Sequence, residues 1–165
     1  MDYLWSPWRY QYVSGAQPES CLFCDLAAWD PARDRERFVV HRGRFNLIVL
    51  NVFPYTSGHA MIAPYKHASN LADLEAEVLG EMMILARELE AALQAAYRPE
   101  GYNLGMNLGR SAGAGIAEHL HLHVLPRWIG DTSFMTAVGE TRVLPEDLSS
   151  TYDKIAGFLG RAAKT

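Results

Sequence analysis

Three histidines at alternating positions, His119, His121 and His123, with Leu120, Leu122 and Val124 between and after them, are the residues whose types and spacing most clearly promise chemistry. On an extended strand, residues two apart point the same way, so the imidazoles share one face while the apolar residues turn to a core. Half of the six histidines in the chain fall within these five positions. Three readings are open. One is a strand that happens to use histidine. Another is a metal site made from all three, but side chains two apart start about 6.5 to 7 Å from each other, and zinc nitrogens sit about 2.0 to 2.1 Å from the ion. Two neighbours converge on one ion; three in a row converge poorly. In the third, one imidazole attacks phosphorus while its neighbours orient it and bond the phosphoryl oxygens. A neutral imidazole attacks without a separate base when its other nitrogen is held protonated, which also implies an acid limb of activity near the imidazole range.

The surroundings of the triad favour the third reading. The loop Gly109-Arg110-Ser111-Ala112-Gly113-Ala114-Gly115 has three glycines in seven positions, which lets backbone amides approach an anionic oxygen closely. Arg110 in that loop and Arg127 just past the strand would add local positive charge. Cys21 and Cys24 are the only cysteines. A pair spaced this way offers half of a tetrahedral zinc site or a redox couple, or is simply two buried thiols; the strand-helix-strand context of a redox couple is missing.

These residues need elements to position them. Phe38–His41 and Asn46–Leu50 read as strands joined at Arg42-Gly43-Arg44, a hairpin. His59–Ala63 reads as a third strand ending at Pro64, after a turn-rich loop Phe53–Gly58. From Ser69, a candidate N-cap with Asp73 nearby, Leu71, Leu74, Val78, Met82, Leu85, Leu89 and Leu93 recur at helical spacing. Pro99 and Gly101 stop that helix, and Tyr102–Asn107 reads as a fourth strand. A last helix is expected from Pro145-Glu146-Asp147 to about Ala162. The fold class is α+β.

Length and composition set bounds. At 165 residues, 49% hydrophobic and 21% charged, the chain suits one globular domain. A formal charge of -4 gives no basic field, so a nucleic acid polymer is not an expected partner. The opening residues have charges and a proline where a signal segment would be apolar, and no run reaches about 18 apolar residues. A cytoplasmic protein with no membrane partner is expected. Residues 1–20, with Trp5, Trp8, Tyr10 and Tyr12, read as an aromatic arm, and 132–165 as a C-terminal extension carrying the last helix.

The triad His119-Leu120-His121-Leu122-His123-Val124-Leu125, with Asn51, Pro54, Gly58, His59 and Pro64 upstream and Asn107 before the Ala112–Gly115 loop, resembles the histidine triad (HIT) superfamily. The arm Leu4–Arg9, Cys21-Leu22-Phe23-Cys24 and the tail Pro126–Asp131 with Phe134-Met135 are similar to the bacterial branch that includes diadenosine tetraphosphate phosphorylases. The resemblance implies a HIT-like fold, a curved antiparallel sheet of about five strands with one long and one C-terminal helix. It implies cleavage of adenine nucleotides or dinucleoside polyphosphates at the α-phosphorus, with water or inorganic phosphate as acceptor. His121 would be the nucleophile and His119 would hold it through its backbone carbonyl. His123 would bond a phosphate or leaving-group oxygen, with His59 bracing that side. Asn51 would bind the ribose hydroxyls, and Asn107, with Ser111, Gly113 and Gly115 of the loop, would lie near the phosphates. Where relatives commonly carry Gln or Ser after the glycine ahead of the triad, Ala114 and Gly115 stand here. Relatives further imply a structural zinc at Cys21, Cys24, His67 and His119, and a two-fold homodimer through the long helix and the strand before the triad. Phosphoramidase or general nucleotide hydrolase activity, and a slow nucleotide-binding regulator, are the rival readings.

Overall fold

A computed structural model describes residues 20–132 and 146–162, the side chains of 161 and 162 excepted. The aromatic arm before residue 20, and Phe134, Met135 and Pro145, lie outside the described residues. Five antiparallel strands form one sheet: β1 (Val39–Arg42), β2 (Asn46–Leu50), β3 (Ala60–Pro64), β4 (Gly101–Gly105) and β5 (Leu122–Arg127), in the order β1-β2-β3-β5-β4. Helices α1 (Leu22–Ala28), α2 (Ala76–Tyr97) and α3 (Leu148–Ala162) complete it. The α+β class expected from the sequence, with an antiparallel sheet of five strands, one long helix and one C-terminal helix, is the one observed.

Alternation along the strands assigns the two faces of the sheet. Ile48 and Leu50 on β2, Ala60 and Ile62 on β3, and Leu120, Leu122 and Val124 at β5 join Met82, Leu85, Leu89 and Leu93 of α2 and Ile155 and Leu159 of α3 in the larger core. Leu47, Val49, Met61 and Ala63 face the other way, onto Phe23 and Leu26 of α1. Because both faces are covered, β2 and β3 are buried at every residue.

Several boundaries differ from the expectation. The long helix begins at Ala76, not at Ser69; Asn70 donates to the Ser69 hydroxyl, and Leu71–Asp73 form a lone 3-10 turn. Extended backbone at Leu74 separates that turn from the helix. The cause is tertiary: the Leu120 amide donates to the Ala68 carbonyl at 2.7 Å, holding this segment beside the triad before the helix can start. The β5 ladder starts at Leu122, so of the three histidines only His123 lies in it. Pro64 has no amide to extend the pairing, and its carbonyl is taken by the His119 ring, 2.9 Å from Nε2. Helix α1 and the 3-10 segment Pro31–Arg37 were not expected from the sequence at all.

The β1–β2 hairpin is where the sequence put it, and α2 fastens it. Glu81 accepts from the Arg44 and Phe45 amides at 2.7 Å each and from Asn46 Nδ2 at 2.8 Å. Although burial raises its pKa, the bonds from Asn46, Phe45 and Arg44 hold this carboxyl below its ordinary value. Gly43 keeps this corner tight: a Cβ there would stand 3.0 Å from the Glu81 carboxyl and 3.1 Å from the Asn46 carbonyl oxygen, so a side chain would push its neighbours back by a few tenths of an ångström. Glu81→Ala is therefore expected to destabilise the fold by about 2–4 kcal/mol, since it removes the acceptor of two backbone amides and of one Asn46 Nδ2 hydrogen, the Nδ2 bond to the Val78 carbonyl remaining; urea unfolding of the variant measures it.

Candidate active site

The triad segment presents its histidines to the α1 face of the sheet. His121, 5% exposed, donates Nδ1–H to the His119 carbonyl oxygen at 2.9 Å. A carbonyl only accepts, so this bond fixes the tautomer: the proton is on Nδ1 and the lone pair on Nε2. Burial pushes the His121 imidazole below its ordinary range, with the His119 carbonyl opposing. The ring is neutral, with an in-plane lone pair, and lines a cavity of about 300 Å³.

A second chain of bonds fixes the neighbouring imidazoles. The turn after β2 closes as the His59 carbonyl accepts from the Asn51 amide at 3.0 Å and the His59 amide donates to Thr56 at 3.1 Å. The Thr56 hydroxyl donates to the Pro126 carbonyl at 3.1 Å, which ties the turn to β5. Within it, the Tyr55 amide donates to His59 Nδ1 at 3.2 Å. The His59 proton must then sit on Nε2, which lies 3.0 Å from His123 Nδ1 and donates to it. His123 is left with its proton on Nε2. Backbone geometry thus determines that His121 offers an electron pair and His123 a proton.

Gly58 allows this turn to lie so close to α2. Its φ is +82°, and a Cβ there would come 2.8 Å from Leu93 Cδ2.

Burial, and then the His121 ring, push His123 down to about 4. The acid limb belongs to His121, whose protonation removes the attacking electron pair; burial pushes that imidazole down as well, so turnover is expected to persist below the ordinary imidazole range before it falls, as an initial-rate profile would show. Stability follows the His123 shift. Below about pH 6.5 an unfolded chain takes up the proton and the folded one does not, so the thermal midpoint should decline as pH falls from there toward about 4.

Of the nucleotide residues expected from the sequence, Asn51, Asn107, Gly113 and Gly115 line the cavity with His121 and His123. Asn51 Oδ1 accepts from the Phe53 amide at 2.9 Å; its Nδ2 stands 3.5 Å from His59 Nε2, and because both atoms carry hydrogen in this tautomer that approach is not a hydrogen bond. Ser111 is exposed in the 3-10 turn Arg110–Ala112 and does not line the cavity. The Ala112, Gly113 and Ala114 amides bond back to Gly109 and Arg110 at 3.0–3.4 Å, so these three loop amides are already engaged within the loop. Arg127 does not supply the free charge expected of it. Its guanidinium is held by Asp131 at 2.5 Å and Asn103 at 2.6 Å.

The apolar end of the cavity has no signal in the sequence. Leu22 and Leu26 of α1, Phe38, Val49, Met61 and Ile116 line it as an apolar slot, with Glu36 and Arg37 also in the lining. These residues are spread from 22 to 116, and no local spacing marks them.

Next to the triad, Cys21, Cys24, His67 and His119 bring one ligand atom each within 4.8 Å of one another. Cys21 Sγ lies 3.3 Å from His119 Nδ1, and Cys24 Sγ 3.3 Å from His67 Nδ1 and 3.7 Å from His119 Nδ1. Ligands of a tetrahedral zinc stand about 3.3–3.8 Å apart, as bond lengths of 2.0–2.3 Å require. The His119 Nε2–H donates to Pro64, which frees Nδ1 as a donor and orients it as outer-shell bonds do. Burial and then the Cys21 sulfur push the Cys24 thiol up, so two thiolates here call for a balancing cation. The donor set fits zinc.

Among the described residues no helix is long and apolar enough to cross a membrane. The HIT domain family matches residues 33–128. A protein named AP-4-A phosphorylase from Mycobacterium tuberculosis (strain ATCC 25618 / H37Rv) is 38% identical over 154 residues, covering 90% of this chain and 79% of that protein. An adenosine 5'-monophosphoramidase from Schizosaccharomyces pombe is 27% identical over 138 residues, 79% of this chain and 97% of that one. Among solved structures, a zinc-bound histidine triad family protein from Mycobacterium smegmatis superposes with a TM-score of 0.69 at 26% identity, over 88% of this chain and 96% of that chain.

Proposed function

Because the chain belongs to the HIT domain family, we propose that it cleaves adenine dinucleoside polyphosphates at the α-phosphorus through a nucleotidyl-His121 intermediate, with inorganic phosphate as the favoured acceptor. One observation carries this reading: the bond from His121 Nδ1–H to the His119 carbonyl leaves the Nε2 lone pair at the cavity. The adenine lies in the slot between α1 and Ile116, the ribose beside Asn51, and the phosphates between Asn107, Gly115 and the histidines. Nε2 of His121 forms a bond to phosphorus as the bond to the bridging oxygen breaks, and that electron pair leaves with the polyphosphate. The Nε2–H of His123 hydrogen-bonds the departing oxygen, whose chain is a stable anion and needs no full proton. An oxygen of inorganic phosphate then displaces His121, giving a nucleoside diphosphate; water in the same place gives the monophosphate.

The phosphate acceptor is favoured by the 38% identity to the M. tuberculosis AP-4-A phosphorylase. The S. pombe relative keeps a phosphoramidase reading as the second one. Zinc held by Cys21, Cys24, His67 and His119 would supply a cross-link between α1, the segment after β3 and the triad. A two-fold homodimer is supported by β4 standing at the sheet edge, with Leu104 there and Met83 and Ile84 of α2 exposed.

Incubation of the purified protein with diadenosine tetraphosphate, with and without inorganic phosphate, tests the proposal. ADP plus ATP that require phosphate are expected. AMP plus ATP without it would mark a hydrolase, and no cleavage under either condition would end the reading.

A further inference from the structure

We infer that Phe23 is a positioning residue for His121, delivered to it by the same short helix that carries the two cysteines. The inference rests on the reading of His121 as nucleophile. The bond from Nδ1 to the His119 carbonyl anchors one ring atom, but the plane can still swing, carrying Nε2 off line and bending the Nδ1–H bond that selects the tautomer. Two further contacts stop the swing. The Phe23 ring, fully buried, packs 4.9 Å from the His121 ring at an interplanar angle of 37°. The His123 ring meets it edge-on at 4.8 Å and 73°.

Phe23 also packs against the His119 ring at 5.1 Å, so one phenyl group supports both the nucleophile and the residue whose carbonyl orients it. Its place in the chain explains the arrangement. Phe23 lies between Cys21, which precedes α1, and Cys24 within it, and both sulfurs approach His119 Nδ1. Helix α1 is only seven residues long. A helix this short is marginal without tertiary support, and here the cysteine–histidine cluster and the Phe23 contact fix its orientation together. The Cys-x-x-Cys spacing therefore serves the chemical step through the aromatic residue inside it.

The test is Phe23→Leu, with Phe23→Met as a second variant that keeps more of the volume but no flat face. Each is purified with its zinc content and melting measured. With zinc retained, kcat on diadenosine tetraphosphate should fall about tenfold or more, because displacement of a reacting atom by about 1 Å costs up to about 100-fold. KM should stay within about threefold. Nitrogen-15 spectra should show a single Nδ1–H tautomer for His121 in the wild type and a mixture in the variants. Unchanged kcat in both variants would overturn the inference, as would a raised KM at unchanged kcat, which would make Phe23 a wall of the base slot. A tautomer mixture already present in the wild type would overturn it too. The ring spectra need no substrate, so they judge Phe23 even if the wild type cleaves no dinucleoside polyphosphate and the proposed activity fails.

Discussion

His121→Asn is expected to lower turnover by at least about 1,000-fold while AMP affinity stays within about tenfold of the wild type. The asymmetry follows from where the imidazole acts. Its Nε2 supplies the electron pair of the new bond to phosphorus, and an amide has no comparable nucleophile, so the loss falls on the chemical step. Binding is spread over the apolar slot of Leu22, Leu26, Phe38 and Ile116 together with Asn51 and Asn107, none of which the substitution removes. The lost ring leaves a gap against Phe23 and His123, with an expected stability cost of about 1–2 kcal/mol. Single-turnover kinetics with a melting control separate these effects. A kcat within tenfold of the wild type would remove His121 from the mechanism.

The second large effect is expected from the cysteine–histidine cluster. Protein purified without chelator should carry about one zinc per chain, and Cys24→Ser should lose most of it. A ligand present at about 1,000 times its Kd stabilises a fold by about 4 kcal/mol, and for a chain of this size each kcal/mol moves the midpoint by about 2–4 °C. Removal of the metal should thus lower the melting temperature by about 8–16 °C, with recovery on adding zinc back. Metal analysis and differential scanning calorimetry decide it. Metal-free protein that melts at the same temperature before and after chelation would exclude a structural zinc.

Much of this was legible in the sequence, and the physical reason differs between elements. Period-two alternation at 119–124 survives folding because both faces of the sheet are buried, so Leu120, Leu122 and Val124 belong to the helix-side core as their spacing requires. The leucine stripe of α2 was equally plain, since a long helix repeats its pattern many times. Its start was not, because the Ala68 carbonyl that delays it is claimed by Leu120, some fifty residues later in the chain. Helix α1 shows only Phe23 and Leu26 as buried positions, too few to define a period. The cavity's apolar end could not be read either, since residues from 22 to 116 meet there only after the sheet forms. Arg127 looked like an available cation, and only the fold shows that Asp131, four residues on, holds it.

The direction in which protons point along the His59–His123 pair traces back to the main-chain hydrogen of Tyr55. A proline at residue 55 would leave the side chains of His59 and His123 intact while deleting that hydrogen. Both rings would then be free to exchange which nitrogen is bare, and His123 could turn an unshared pair, in place of a donor, toward the departing anion. Two histidines of unchanged identity would meet the same substrate with inverted polarity.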